Sequence, residues 1–273
     1  MSYTPLSNAE LAAYFARIGF AGSACNDLAT LQRLHYLHPL ALAFENLDSW
    51  CGVTPALAEQ SVYNKLVHGG RGGYCFEHNQ LFMRVLLTLG FDVYGMAARV
   101  IVPDAVLPRT HKVLLVRIAG EPWLADVGFG GMTMTAPLRL MEGSQNTPHE
   151  PWQLQKDGEL HLLSAWVQDA WSPKYRFSLE AQTPSDYELS NWYVATFPTS
   201  RFRNDLIAAR VDEHGRHALL NTRYMYHPLG KPSQQVDLRN AGELRGVMES
   251  VFGLAISGMP ALAPRIDALF ANR

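Results

Sequence analysis

The chain has 273 residues, of which 48% are hydrophobic and 18% charged, a composition typical of a globular enzyme with one large domain or two to three small ones. Lys and Arg number 23 against 25 for Asp and Glu, and no basic stretch stands out, which argues against a nucleic-acid or anionic-lipid partner. Because no apolar run approaches the ~18 residues of a membrane-spanning helix and residues 1–10 lack the pattern of a signal peptide, we expect a cytoplasmic protein with no membrane contact.

Residues 1–90 are predicted to form a helical unit. Their apolar residues recur at the three- and four-residue spacing of a helix, with glycine or N-capping residues at the ends. The pattern predicts one helix that ends at Gly19, one that starts after Asp27, one over residues 58–67, and one that ends at Gly90. Glycine-rich residues 69–73 separate the last two.

Residues 91–190 change to short β-branched and apolar runs, which Pro and Gly interrupt. Strands are predicted over residues 100–102, 112–118, 123–127, 152–155, 159–163 and 175–179. The pair Asp157-Gly158 between two of these runs is a strong signal of a β-hairpin. We therefore expect an antiparallel sheet or a small β-barrel in this part of the chain.

Residues 191–273 mix both patterns. Strands are predicted over residues 206–211 and 217–220, and helices over residues 244–251 and 260–270. Without repeats, low-complexity tracts or long linkers, the three parts are expected to pack closely. The fold class predicted from these patterns is α+β.

Cys75 is the strongest candidate for a reactive group. It follows Gly72 and Gly73 at a predicted helix start, where unpaired backbone N–H groups and the helix dipole favour a thiolate and can bind an oxyanion. The glycines would let the backbone approach a substrate. The alternative is that Cys75 is a small buried apolar residue, which remains the preferred interpretation for Cys25 and Cys51. No second Cys/His pair completes a zinc site, so no metal is predicted.

His111 and Asp126 are predicted to meet across a hairpin. If a two-residue turn places Ile118 opposite Glu121, the side chains of His111 and Asp126 share one face of the sheet as diagonal neighbours. A register shift of one residue would separate them. An Asp in an apolar strand needs a partner, and a carboxylate can orient an imidazole that serves a nucleophile. The residues alone therefore predict a thiol–imidazole–carboxylate enzyme and leave its reaction open.

Three motifs carry a family resemblance. FENL at residues 44–47, RGGYCFE at residues 71–77 and WLADVGFG at residues 123–130 resemble the arylamine N-acetyltransferases, in the same order and at a matching chain length. The resemblance implies a helical bundle over residues 1–90, a central antiparallel β-barrel over residues 91–190 and an α/β lid over residues 191–273, with a cysteine-protease-like core. It also implies acetyl-coenzyme A as the donor, with ping-pong kinetics.

The same resemblance implies roles for individual residues. Cys75 would be the nucleophile, His111 the base and Asp126 the group that orients it. Walls of the acceptor pocket would come from Tyr74, Phe129, Phe202 and Val100. Contacts to the coenzyme would come from Thr110, Gly130 and Gly131, whereas Arg71, Glu77, Glu45 and Asn46 would be structural.

The predicted function is transfer of an acetyl group from acetyl-coenzyme A to the nitrogen of arylamines or arylhydrazines, or to the oxygen of N-hydroxyarylamines, through an acetyl-Cys75 intermediate. A thiol hydrolase or a transglutaminase-like enzyme with the same triad is the alternative, and a non-catalytic binding module is a third possibility. The sequence names neither the physiological acceptor nor the oligomeric state.

Overall fold

The computed structural model of the protein describes residues 3–271. Its α-helices are α1 (Asn8–Ile18), α2 (Leu28–Ala41), α3 (Leu47–Trp50), α4 (Glu59–Tyr63), α5 (Cys75–Thr88), α6 (Pro184–Thr196), α7 (Arg201–Asn204), α8 (Ala241–Ser250) and α9 (Leu262–Ala271). A π-helical turn covers Asn64–His68 and a 3₁₀ turn covers Gly130–Met132. The strands are β1 (Phe44–Glu45), β2 (Asp92–Val102), β3 (Ala105–Val106), β4 (His111–Ile118), β5 (Glu121–Ala125), β6 (Leu138–Arg139), β7 (Gly143–Gln145), β8 (Trp152–Asp157), β9 (Leu160–Val167), β10 (Ala170–Ala181), β11 (Ile207–Asp212), β12 (Gly215–Leu220), β13 (Arg223–Pro228) and β14 (Gln234–Asp237).

The end of α1 and the start of α2 lie at the residues predicted from the sequence, Gly19 and Asp27. Ser7 and Glu10 form a reciprocal capping box at the start of α1, and Gly19 closes it in the left-handed conformation at φ 69°. At α2, the Asp27 carboxylate accepts a hydrogen bond from Thr30 N at 2.8 Å. The predicted third helix becomes the short α4 and the π-helical turn that follows it.

Helix α5 lies at the centre of the molecule. Every residue from Cys75 to Leu86 is buried, because helices cover one side of α5 and strands β2 and β4 cover the other. A helix buried on all sides has no polar stripe to expose, so its polar side chains must find partners inside the protein. Those partners build much of the candidate site.

The larger sheet has nine antiparallel strands that curl into a barrel-like shape. Its main path runs β6-β5-β4-β2-β10-β9-β8-β7, with β3 paired to β2. The two end strands are not hydrogen-bonded as a ladder, but the Gln145 side chain bridges them: its Nε2 donates to Arg139 O and its Oε1 accepts from Arg139 N, both at 2.8 Å. The barrel is therefore nearly closed.

Strand β4 is apolar on both faces, which explains its unbroken hydrophobic run. Val113 and Leu115 point into the barrel core, while Leu114 and Val116 point into the core shared with the helices. The predicted register is confirmed, since Ile118 pairs with Glu121 across the turn.

The smaller sheet has five strands in the order β1-β11-β12-β13-β14. Strand β1, from the N-terminal part, pairs with β11, so the two ends of the chain share one sheet. Helices α8 and α9 pack beside it in a separate apolar core. Strands β13 and β14 were not predicted, and β14 is exposed at every residue, so it has no apolar pattern to detect.

Helix α6 was also not predicted, although its start carries clear signals. Thr183 and Asp186 form a capping box and Pro184 occupies the first turn. The helix continues across the expected boundary between residues 190 and 191, so a division there would cut a continuous helix. The division into three units otherwise stays a prediction. Within residues 3–271, no helix is both long and apolar enough to cross a membrane.

Candidate active site

Cys75 is the first residue of α5. The residue before it, Tyr74, has extended backbone angles, and its N–H donates to Glu77 Oε2 at 3.0 Å. Only 8% of Cys75 is exposed, but that surface faces a large cavity. The Cys75 thiol donates weakly to Thr110 O, with Sγ 3.7 Å from the oxygen. The sulfur is therefore reachable from solvent and lies at the positive end of a helix dipole.

The glycines before Cys75 serve the protein's own packing rather than substrate approach. A Cβ on Gly72 would lie 1.9 Å from Ala43 O, and a Cβ on Gly73 would lie 2.6 Å from Glu77 Oε2. The cavity is lined by neither glycine. The expected role of these glycines in letting a substrate approach is therefore wrong, because protein atoms already occupy the space beside them.

A buried network of charges anchors the glycine-rich loop. Lys65 Nζ lies 2.7 Å from Glu77 Oε1 and 2.6 Å from Asp48 Oδ2. Arg71 Nη2 lies 2.7 Å from Glu45 Oε1 and 3.0 Å from Asp48 Oδ1. Each acidic side chain has a cationic partner, which compensates for its burial. This geometry agrees with the structural roles expected for Arg71, Glu77 and Glu45.

His111 and Asp126 form a direct hydrogen bond. Nε2 of His111 lies 2.7 Å from Asp126 Oδ2, and both side chains are buried. Tyr175 Oη also donates to Oδ2, at 3.1 Å, while Oδ1 accepts from Asn79 Nδ2 and Gly128 N, each at 3.0 Å. Burial alone would raise the pKa of Asp126, but the His111 charge and these hydrogen bonds lower it overall.

His111 is held in its protonated form. Burial by itself would lower the pKa of His111, but the charge and hydrogen bond of Asp126 outweigh burial and a hydrogen bond with the Cys75 side chain adds to them, which raises it to about 10. Because Nε2 binds the carboxylate, Nδ1 is the nitrogen available to the thiol. His111 and Cys75 line the same cavity, and Asp126 is buried behind the imidazole.

Asn79 holds the elements of the site together, and sequence reasoning missed it. It lies one turn after Cys75 in α5; its Nδ2 donates to Lys112 O at 2.7 Å as well as to Asp126, and its Oδ1 accepts from Val127 N at 3.1 Å. One side chain therefore links the helix to both strands of the hairpin. Its position four residues after Cys75, on the same helix face, is the signal that was available.

Gly128 permits the close packing of helix and hairpin. A Cβ there would lie 2.9 Å from Cys75 Cα and 3.0 Å from Asn79 Nδ2. A larger residue would push the end of β5 away from α5.

Three buried histidines lie behind the site. Nε2 of His35 accepts from Asp126 N at 3.1 Å, while His38 Nε2 and His78 Nδ1 lie 2.9 Å apart. His78 Nε2 donates to Ala43 O at 3.1 Å, and Tyr14 Oη lies 2.9 Å from His38 Nδ1. Burial lowers the pKa of His35 and of His78 to about 4, so these rings are neutral at pH 7. They act as hydrogen-bonding core residues.

The cavity at Cys75 has a volume of about 810 Å³ and mostly apolar walls. It is lined by eight of the predicted site residues: Cys75, Val100, Thr110, His111, Phe129, Gly130, Gly131 and Phe202. Sequence reasoning missed several further walls, among them Phe44, Leu107, Tyr193, Phe197, Arg201 and Arg223. These come from loops and strands far apart in the chain, and no local pattern marks them.

Two predicted site residues lie outside the cavity wall. Asp126 is fully buried behind His111. Tyr74 is 1% exposed, and its hydroxyl donates to Asn191 Oδ1 while its ring packs against Phe202. The expectation that Tyr74 forms a pocket wall is wrong, because the turn into α5 directs its ring into the core behind Phe202.

Known proteins are similar to this chain in sequence and architecture. A family model described as N-acetyltransferase matches residues 27–260. The arylamine N-acetyltransferase of Escherichia coli strain K12 is 41% identical, over 89% of this chain and 88% of that protein. The chain belongs to the arylamine N-acetyltransferase family. A Salmonella typhimurium member, named arylamine N-acetyltransferase / N-hydroxyarylamine O-acetyltransferase, is 38% identical over 90% of this chain and 89% of its own length.

The fold of the arylamine N-acetyltransferases agrees with the structure described above. The Mycobacterium marinum enzyme, solved in complex with CoA, is similar with a TM-score of 0.91 at 38% identity, covering 95% of this chain and 99% of that one. The family match contains Cys75, His111, Asp126 and the whole cavity wall. Within residues 3–271, no cluster of three or more His, Cys, Asp or Glu side chains is arranged to hold a metal ion.

Proposed function

We propose that the protein transfers an acetyl group from acetyl-coenzyme A to arylamines, arylhydrazines or N-hydroxyarylamines through an acetyl-Cys75 intermediate. The observation that carries the proposal is the placement of His111, which is bonded to Asp126 through Nε2 while its other face meets Cys75 at an apolar cavity. Family membership supports the reaction class, and the CoA complex of the M. marinum relative supports the donor.

In the first half-reaction, Cys75 reacts as a thiolate paired with the His111 imidazolium. The thiolate attacks the thioester carbonyl, and the free N–H groups at the start of α5 stabilise the oxyanion. As the carbon–sulfur bond to the donor breaks, His111 gives its proton to the leaving thiolate. The products are acetyl-Cys75, free coenzyme A and a neutral His111.

In the second half-reaction, His111 acts as a base. Acetylation removes the charge of the Cys75 sulfur and the hydrogen bond between the Cys75 side chain and His111. Both help to raise the pKa of His111, beside the larger contribution of Asp126. A neutral imidazole thus becomes easier to maintain, and it takes a proton from the amine as the nitrogen attacks the acetyl carbonyl. Collapse returns the electron pair to Cys75 and releases the amide.

The cavity suits a flat, apolar acceptor. The rings of Phe129 and Phe202 line the same cavity as Cys75, and Val100 contributes an aliphatic wall. An aromatic amine would lose little hydration on entering and would exclude water from the thioester, which favours transfer over hydrolysis. Pocket walls of this kind discriminate only modestly between related aromatic rings, so a range of acceptors is expected.

The donor is proposed to enter along the polar side of the same cavity. Thr110, Gly130 and Gly131 line it, with Thr110 O 3.7 Å from Cys75 Sγ, and Arg201 and Arg223 add two cationic groups from the C-terminal part of the chain. Guanidinium groups bind phosphates well, which fits a coenzyme that carries several. Strands β11–β13 cover this side, which supports a role for residues 191–273 as a lid over a cysteine-protease-like core.

The proposed compartment is the cytoplasm. Cys25, Cys51 and Cys75 are all free thiols, and a nucleophilic cysteine of this kind needs a reducing environment to stay active.

The test is incubation with acetyl-coenzyme A and no amine, followed by peptide mass spectrometry. We expect one acetyl group on Cys75, none on this peptide in Cys75→Ser, and its loss on adding an arylhydrazine with formation of the N-acetyl product. A thiol hydrolase or transglutaminase-like enzyme would leave no stable adduct, and a binding module would give no product in either half-reaction. Any of these results would overturn the proposal.

A further inference from the structure

Lys112 is a buried cation that the proposed mechanism does not use. It follows His111 in β4, so its side chain leaves the opposite face of the sheet. The residue is completely buried, and Nζ donates to Tyr3 Oη at 3.0 Å. Nζ also lies 4.5 Å from the centroid of the Tyr3 ring and 4.2 Å from that of Tyr187. Two aromatic faces therefore enclose the ammonium.

Lys112 differs from the other buried cations in having no carboxylate beside it. Lys65 and Arg71 each contact acidic side chains, whereas no ion pair of Lys112 occurs among residues 3–271. The groups that face it are Tyr3 from the N-terminal segment and Tyr187 from α6, and the charge of Cys75 in α5 acts on it. Carboxylates lie one layer further out: Glu59 and Glu188 act on Tyr3, and Asp186 acts on Tyr187.

Tyr187 links Lys112 to the packed region around Cys75, because its ring centroid lies 4.2 Å from Lys112 Nζ. Tyr187 belongs to the same apolar cluster as Cys75 and Phe76, and its ring centroid lies 6.2 Å from that of Phe76. Lys112, Tyr187 and Cys75 are all buried, so a charge on Lys112 is screened from Cys75 far less than a charge at the surface would be.

We propose that Lys112 is an electrostatic positioning residue for Cys75, whose buried ammonium favours the thiolate over the thiol in the resting enzyme. It would act from the face of β4 opposite His111, as a second cation behind the nucleophile. The inference rests on the proposed function in taking Cys75 as the nucleophile, but it concerns the free enzyme and requires no acetyl transfer.

The contribution depends on pH. Burial lowers the pKa of Lys112 to about 7, and the Cys75 charge partly opposes that shift. Below pH 7 the ammonium is present and supports the thiolate. Above pH 7 the amine becomes neutral and this support fades, while the His111 imidazolium persists.

The first test is the titration of Cys75 by thiolate absorbance, with Cys75→Ser as the blank that removes the signals of Cys25 and Cys51. Lys112→Met keeps the length of the side chain and removes its charge. We expect its Cys75 midpoint to rise by about one pH unit, because removing a buried cation disfavours the thiolate. Lys156→Met, a change at an exposed lysine of β8, should leave the midpoint in place. An unchanged midpoint in a folded Lys112→Met protein would overturn the proposal.

A second measurement does not depend on any change at Lys112. Coupling between two titrating groups is reciprocal, so removing Cys75 must alter Lys112 as much as the reverse. NMR of side-chain-labelled lysine should show the Lys112 midpoint falling in Cys75→Ala, again by about one pH unit. A structural role alone would not move it, and equal midpoints in the two proteins would rule out the coupling. Neither titration uses acetyl-coenzyme A or an amine, so failure here is distinct from failure of the proposed acetyl transfer.

Discussion

His111 Nε2 lies 2.7 Å from Asp126 Oδ2. This short contact joins the first residue of β4 to the residue directly after β5. It fixes which nitrogen of His111 faces the thiol. The two carboxylate oxygens of Asp126 accept hydrogen bonds from four donors, which hold the carboxylate in a fixed orientation.

Asp126→Asn should therefore impair catalysis far more than folding. The amide cannot stabilise an imidazolium, so we expect the rate of Cys75 acetylation to fall by about two to four orders of magnitude in single-turnover experiments with acetyl-coenzyme A. Tyr175→Phe is the matched control, because it removes one hydrogen bond to the same oxygen and leaves the charge. A near-normal rate in a folded Asp126→Asn protein would disprove the orienting role.

Asn79→Ala should loosen the link between α5 and the hairpin. It removes three hydrogen bonds and leaves Lys112 O and Val127 N unpaired in the core, at a cost of about 2–4 kcal/mol in unfolding free energy. Gln80→Ala is the matched control, since the next residue of the helix is also buried but bonds to Leu57 O on another side. Both changes should reduce stability in urea, and only Asn79→Ala should also lower the acetylation rate. Equal activity losses would show that the effect is general destabilisation.

Gly128→Ala should separate the helix start from the hairpin. The new methyl group would meet Cys75 Cα at 2.9 Å, closer than real Cβ contacts allow. We expect at least a tenfold loss of kcat/KM, as for about 1.4 kcal/mol of lost transition-state stabilisation. Gly246→Ala in α8, where nothing lies within 4 Å of the added Cβ, should leave activity intact. Full activity in Gly128→Ala would mean that this close approach is not needed.

The His111–Asp126 pair should stabilise the fold most at moderately acid to neutral pH. The folded pKa of His111 is raised from 6.5 to about 10, so its contribution is complete below pH 6.5 and is lost as pH rises through about 10. The advantage of the native chain over His111→Gln, on the order of 3–5 kcal/mol at most, should shrink across that window in denaturant titrations. An advantage independent of pH would contradict the assignment.

Lys112 should have the opposite dependence. Its folded pKa is lowered from 10.5 to about 7, so between these values the unfolded chain holds a proton that the folded chain lacks, and stability rises with pH. Lys112→Met should therefore be more stable than the native chain below pH 7, by on the order of 3–5 kcal/mol at most, with the gain fading toward pH 10.5. The contributions of His111 and Lys112 to the free energy of unfolding change in opposite directions over nearly the same pH range and partly cancel in the native chain. Removing one of the two residues should therefore expose the pH dependence that the other contributes. Destabilisation of Lys112→Met at pH 6 would refute this account.

The sequence by itself determined the local features of the protein. Gly19 marked the end of α1 and Asp27 the start of α2, and alternation with a two-residue turn set the register that brings His111 to Asp126. These features depend on neighbours within a few residues, so a local pattern suffices to read them. The helix start and its glycines marked Cys75, and the family resemblance added a minority of the residues that line the cavity, among them Phe129 and Phe202.

Only the tertiary structure decided what surrounds those residues. Phe44 and Phe197 reach one cavity from segments more than a hundred residues apart, Tyr74 turns into the core, and Lys112 is enclosed by rings from the N-terminal segment and α6. The local sequence around one of these residues does not predict which distant residue it will contact. Such contacts depend on how complementary side-chain shapes pack once the chain is folded.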